Sequence, residues 1–122
     1  LLIGTIRILK KHDIKNYKKI LAPGIFEIPV IISKNINLYD GFLALGCVIK
    51  GQTPHAEYIS RACINAIMDL SIKHKKPIGN GIITCLNKKQ ALLRSNPQKK
   101  NKGGEAAIAI LSVLGIIKNE KK

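Results

Sequence analysis

Leu2, Ile6 and Leu9 recur at helical spacing near the start of the chain, and Lys10-Lys11 fall where a last helical turn favours cations, so a helix is predicted over 1–12. The stretch NYKKILAPG (16–24) reads as a short strand stopped by Pro23-Gly24. FEIPVIISKN (26–35) reads as a second helix, with Pro29 in the first turn, where its missing N–H does no harm. GFLALGCVI (41–49) is a continuous apolar run of strand length, the pattern of a parallel strand buried on both faces. AEYISRACINAIMDLSIKH (56–74) places Ile59, Cys63, Ile67 and Leu70 on one face of a long helix, and PIGNGIITC (77–85) is another short apolar strand. NKKQALLRS (87–95) opens a helix with Asn87 at the N-cap and Gln90 three residues on, and NKGGEAAIAILSVLGIIKN (101–119) closes the chain as an amphipathic helix.

Strands alternating with helices predict an α/β fold of three layers, a parallel sheet covered by helices on both faces and joined by right-handed crossovers. The 122 residues make one domain, 1–122, with no linker and no internal repeat. Its first element is a helix with no strand before it, which points to a leading strand upstream of residue 1. In an open parallel sheet, ligands collect at the carboxyl ends of the strands near a topological switch point. Three segments are expected to meet there: Pro23–Glu27, Lys50–His55 and Asn80–Gly81. Thr53 and the backbone of the 51–54 turn precede a helix, and such N–H groups favour a phosphate or another anion. His55 follows at once, and a histidine can exchange protons near neutral pH.

Charge changes this picture less than its size suggests. The net charge is +14, yet the basic residues spread over the whole chain and aromatics for base stacking make up only 4%. Lysines number 18 against 3 arginines, beside 22 isoleucines and 9 asparagines, the bias of an A/T-rich coding background on a solvated surface. A dedicated nucleic-acid role is therefore disfavoured, and anionic small molecules fit better. Arg7, Arg61 and Arg94 are the arginines that such a background left in place. Cys47, Cys63 and Cys85 form no CxxC pair and are odd in number, which suits a reduced cytoplasm rather than a disulfide framework. No Cys or His pair has zinc-ligand spacing, so no metal is expected. No apolar run reaches the roughly 18–20 residues a bilayer requires, so a soluble protein without membrane partners is predicted.

Four stretches carry a resemblance: PGIFEIP, ALGCVIKGQTPHAEYI, GNGIITCLNKKQALLR and NKGGEAA, in this order and spacing. Together they resemble the 6,7-dimethyl-8-ribityllumazine synthases, and the likeness runs from about Leu1 to about Leu114. Any one motif would be weak, whereas four in register are specific. The resemblance implies a flavodoxin-like fold with a four-stranded parallel sheet, whose first strand would lie upstream of Leu1 and carry an aromatic that stacks on the pyrimidine. It also implies condensation of 5-amino-6-(D-ribitylamino)uracil with 3,4-dihydroxy-2-butanone 4-phosphate in riboflavin synthesis, without metal or organic cofactor. Homo-oligomers built on pentamers, with sites between subunits, belong to the same expectation.

Residue by residue, His55 matches the proton-transfer position, and Gln52 and Thr53 match the turn that holds the phosphorylated substrate. Arg94 matches a phosphate-binding arginine reaching in from the adjacent subunit, and Lys102 a lysine near the same phosphate. Ile25, Phe26 and Glu27 match the segment at the ribityl-uracil, with Glu27 as a hydroxyl acceptor; Cys47, Val48 and Ile49 match the strand end lining the pyrimidine. Asn80 falls where many relatives carry phenylalanine, Lys50 where arginine is commoner, and SNPQKK (95–100) where a glycine-rich AGTKAG is usual. Without these motifs the residues have plainer readings. His55 would be a helix-start histidine, Arg94 and Lys102 solvated helix residues, Glu27 a group facing its helix dipole, and Phe26, Cys47 and Cys85 core packing. His12 and His74 sit in basic, polar contexts and read as surface residues. Two rival functions stay open at this point: a non-catalytic carrier or shell protein of the same fold, and a basic nucleic-acid-binding domain.

Overall fold

The structure, a computed structural model, describes residues 1–50 and 54–118. The elements run α1 (Leu2–Lys11), a 3-10 turn (Ile25–Glu27), α2 (Ile28–Asn35), β1 (Phe42–Ile49), α3 (His55–His74), β2 (Ile78–Cys85), α4 (Lys88–Ser95) and α5 (Lys102–Val113). β1 and β2 pair in parallel, from Phe42 opposite Ile78 to Ile49 opposite Cys85, with α3 as the crossover between them.

Alternation along the two strands divides the core. Ala44 and Ile82 face α2 and α3, where they pack with Ile28, Ile32, Ile36, Cys63 and Ile67. Burial pushes the Cys63 thiol up, so it stays a neutral core group. Gly79 and Gly81 face the other way, toward α5. A Cβ on Gly79 would sit 2.8 Å from the Ala106 carbonyl oxygen, so glycine there lets the helix lie directly on the strand. Leu111 seals this side at 2% exposure, and Ile83, Cys85 and Ala91 form a smaller cluster under α4. Thr5 of α1 donates to the Gly103 carbonyl at 2.9 Å, which ties α1 to the start of α5. Helices thus cover both faces of a parallel sheet.

The helix signal expected at Asn87 acts at the start of α4, and one that was not expected ends α5. Asn87 Oδ1 accepts from the Gln90 N–H at 2.9 Å, and Gln90 Oε1 accepts from the Leu86 N–H at 2.9 Å, a capping box displaced by one residue. Gly115, at φ 78°, takes the left-handed turn after α5, and the Ile116 N–H returns to the Leu111 carbonyl at 2.9 Å. The last helix is therefore shorter than the 101–119 pattern suggested.

Two expectations are corrected. The strand expected over 16–24 does not form among the described residues: only β1 and β2 make a ladder. Strand backbone needs an edge to pair with, and 16–24 is solvated by Lys18 and Lys19 with Leu21 at 96% exposure. Asn80–Gly81 does not end a strand either. β2 continues to Cys85, so Asn80 is its third residue, and five more residues at about 3.3 Å each separate it from the strand's carboxyl end.

Candidate active site

The carboxyl ends of β1 and β2 gather most of the expected residues, in two groups. The first is built on the 3-10 turn. Gly24 is extended, and the chain closes the turn with the Glu27 N–H on the Gly24 carbonyl at 3.3 Å. Ile25 packs over Gly46, where any side chain would collide with it, so the turn is seated directly on β1. Phe26 then points outward at 63% exposure, which overturns its reading as core within this chain. Glu27 is half-buried at the start of α2, and its carboxylate makes no capping bond there. His55 opens α3, exposed, beyond the end of β1. Gln52 and Thr53 lie outside the described residues.

The end of β1 sends its side chains to both faces. Val48 shares the face of Gly46 and the 3-10 turn, whereas Cys47 and Ile49 share the opposite face with Ile83 and Cys85. Cys85 is buried as expected, but Cys47 is exposed and is not a core residue. Partial burial, then the Cys85 thiol beside it, pushes the Cys47 thiol up, so it remains protonated at neutral pH.

The second group is basic. Arg94, at the end of α4, donates through Nη1 to the Thr84 carbonyl at 2.7 Å, with the Cys85 sulfur 3.9 Å away. Thr84 in turn donates through Oγ1 to the Ser60 hydroxyl of α3 at 3.3 Å. The guanidinium is thereby fastened to the end of β2, with other N–H groups left to reach a ligand. Around it opens a depression of about 510 Å³, with Ile83 and Leu93 as its apolar lining and Thr84, Gln90, Arg94, Lys100 and Lys102 as its polar lining. Lys102 stands at the first position of α5 and pairs with Glu105 at 3.0 Å. Three cations around one hollow suit a multiply charged anion. Neither His55 nor the 3-10 turn lines this depression.

Asn80 joins neither group. It sits on the outer edge of β2, where its Oδ1 accepts from the Ile82 N–H at 3.1 Å, and it borders an apolar groove of about 440 Å³ between α3 and α5. Reading the sequence passed over Thr84, Gln90 and Lys100. A polar residue late in an apolar strand was the available signal for Thr84; Lys100 was hidden in the lysine background.

The sequence model of the 6,7-dimethyl-8-ribityllumazine synthase family matches residues 1–118. The chain belongs to this family. The lumazine synthase of Bartonella henselae is 43% identical over 122 residues, which span 97% of this chain and 78% of that one. That of Bartonella tribocorum is 42% identical, over 97% of this chain and 80% of its own. The likeness extends to Desulfovibrio desulfuricans, whose lumazine synthase is 37% identical over 93% of this chain and 76% of its own. As a lumazine synthase the chain is an enzyme, a transferase of riboflavin biosynthesis, and neither the carrier reading nor the nucleic-acid reading gains support. No helix among the described residues is long and apolar enough to cross a membrane, and no group of three or more His, Cys, Asp or Glu among them could hold a metal.

Proposed function

We propose that this lumazine synthase condenses 5-amino-6-(D-ribitylamino)uracil with 3,4-dihydroxy-2-butanone 4-phosphate at a site shared by neighbouring subunits of a homopentamer, each with a flavodoxin-like four-stranded sheet. The observation that carries the assignment is the depression of Arg94, Lys100 and Lys102, a cationic hollow fitted to a phosphate monoester. The amine of the pyrimidine attacks the butanone carbonyl and one water leaves as the imine forms. Elimination then expels phosphate and leaves an enol that tautomerises to a carbonyl, and the ribitylamino nitrogen attacks that carbonyl to close the ring with loss of a second water. Each step moves a proton, and His55 is the group to move it. Gln52, Thr53, Arg94 and Lys102 hold the phosphorylated substrate. Ile25, Phe26, Glu27, Cys47, Val48, Ile49 and Asn80 receive the ribityl-pyrimidine. The enzyme works in the cytoplasm and needs no cofactor.

Assembly follows from incompleteness. The basic hollow is not lined by His55 or the 3-10 turn of its own chain, which supports a site that two neighbouring chains complete together. The apolar groove beside β2 supports a subunit contact, since Met68 is 58%, Ile72 69% and Val113 72% exposed along it. Asn80 on that edge would then meet a neighbour's ligand. A free pentamer is favoured over a closed shell, because Pro97 stiffens the connection before α5 and Lys99-Lys100 would repel their counterparts between pentamers.

Mixing the two substrates with the protein should produce lumazine absorbance together with inorganic phosphate; no product at saturating substrate would overturn the assignment. Light scattering at moderate salt should give the mass of five subunits. A mass near sixty subunits would remove the free pentamer, and a stable, active monomer would remove the shared site.

A further inference from the structure

We propose that Lys100 is a third cation of the phosphate hollow and tightens its hold on phosphate monoesters. This deepens the reading above and rests on it. Three observations single Lys100 out. It lines the same depression as Arg94 and Lys102, whereas the adjacent Lys99 does not. Its charge is also the least committed. Arg94 has given one N–H to the Thr84 carbonyl at 2.7 Å, and Lys102 pairs with Glu105 at 3.0 Å. Among the described residues Lys100 has no ion-pair partner. Finally, its backbone is fixed although its side chain is exposed. The Lys100 N–H reaches the Leu93 carbonyl at 3.2 Å, and on either side the Lys99 and Asn101 N–H groups both reach the Asn96 carbonyl at 3.0 Å. Asn96 Oδ1 accepts in addition from the Gln98 N–H at 2.8 Å. The connection between α4 and α5 is thus a closed hydrogen-bonded turn that holds the Lys100 stem at the rim, and only the four-carbon chain must order when an anion arrives.

The chemistry is that of a point charge at a partly solvated site. Arg94 supplies directional, forked contact, whereas an ammonium adds attraction without fixing orientation. Lys100 should therefore act on affinity for the phosphorylated substrate and leave the pyrimidine untouched.

Inorganic phosphate, titrated calorimetrically into the assembled protein, is the probe. Lys100→Ala should weaken its binding about two- to fivefold, the scale of one exposed ion pair. Lys100→Arg should restore most of that loss, and Lys99→Ala, which removes the same charge one residue away, should stay within about 1.5-fold of the parent at moderate salt. In steady state, Lys100→Ala should raise the KM for the butanone phosphate by the same factor and leave that for the pyrimidine unchanged. Unaltered phosphate affinity in Lys100→Ala, or an equal loss in Lys99→Ala, would overturn the proposal. Because calorimetry reads binding without turnover, a protein that binds phosphate through Lys100 yet makes no lumazine would overturn the assigned reaction and leave the Lys100 subsite standing.

Discussion

His55→Ala is expected to fold and assemble as the parent does and to turn over about 10- to 1,000-fold more slowly, around the range for one acid–base group. Structural neutrality follows from position. His55 is exposed at the first residue of α3, that helix start has no side-chain cap to lose, and alanine is a good helix former. The loss in rate follows from chemistry, since carbonyl addition, dehydration and phosphate departure each shift a proton. Some activity should survive, because orienting the two substrates contributes separately. Circular dichroism and light scattering would establish that the variant is intact, and initial rates of lumazine formation would read the effect. Undiminished turnover would remove His55 from the mechanism and turn attention to water or to the lysines of the basic hollow.

The elements that the sequence made legible are those whose signals are local. The apolar run 41–49 is β1, the Asn87–Gln90 spacing is the start of α4, and Pro29 sits in the first turn of α2. Each needs only its own neighbours. The stretch at 16–24 has strand composition but becomes a strand only if an edge is offered to it, and that is a property of the sheet rather than of the segment. Asn80 was misplaced for a different reason. The run PIGNGIITC marks β2 almost to its observed bounds, and those bounds put Asn80 near the start of the strand, so grouping Asn80–Gly81 with the carboxyl ends took the Gly-Asn-Gly pattern inside a continuous strand for a turn. Cys47 misled because a continuous apolar run does not show where cover stops along the strand: Ala44, in the middle of β1, is 2% exposed, whereas Cys47 and Ile49, at its carboxyl end, stand open. The candidate site divides in the same way. His55 and the FEIP segment are contiguous motifs and could be read directly. The links from Arg94 to Thr84 and from Thr84 to Ser60 span 10 and 24 residues of chain and appear only in three dimensions.

Those links govern what a change at Arg94 should do. Arg94→Lys is expected to raise the KM for the butanone phosphate by about tenfold to a hundredfold, the worth of roughly 1.5–3 kcal/mol for one charge-assisted contact, while the KM for the pyrimidine changes by less than about threefold. The charge is kept, so the effect tests geometry. Arginine here serves two partners at once: Nη1 is spent on the Thr84 carbonyl at 2.7 Å, and the remaining N–H groups of the same plane are free to fork onto a phosphate. A lysine has one nitrogen and a flexible stem. It can reach the Thr84 carbonyl or the ligand, and in choosing the carbonyl it leaves the hollow to Lys100 and Lys102, the second of which is already paired with Glu105. Arg94→Ala would be the blunter experiment, because it also strips the Thr84 carbonyl of its donor and loosens the end of β2 together with Ser60 behind it. The comparison of the two substrates in Arg94→Lys is therefore the informative one. A selective rise for the phosphorylated substrate supports a guanidinium that clamps phosphate. Equal rises for both substrates, accompanied by a lower melting temperature, would mean that Arg94 serves mainly to bind α4 to β2 and that the phosphate is held by the lysines alone.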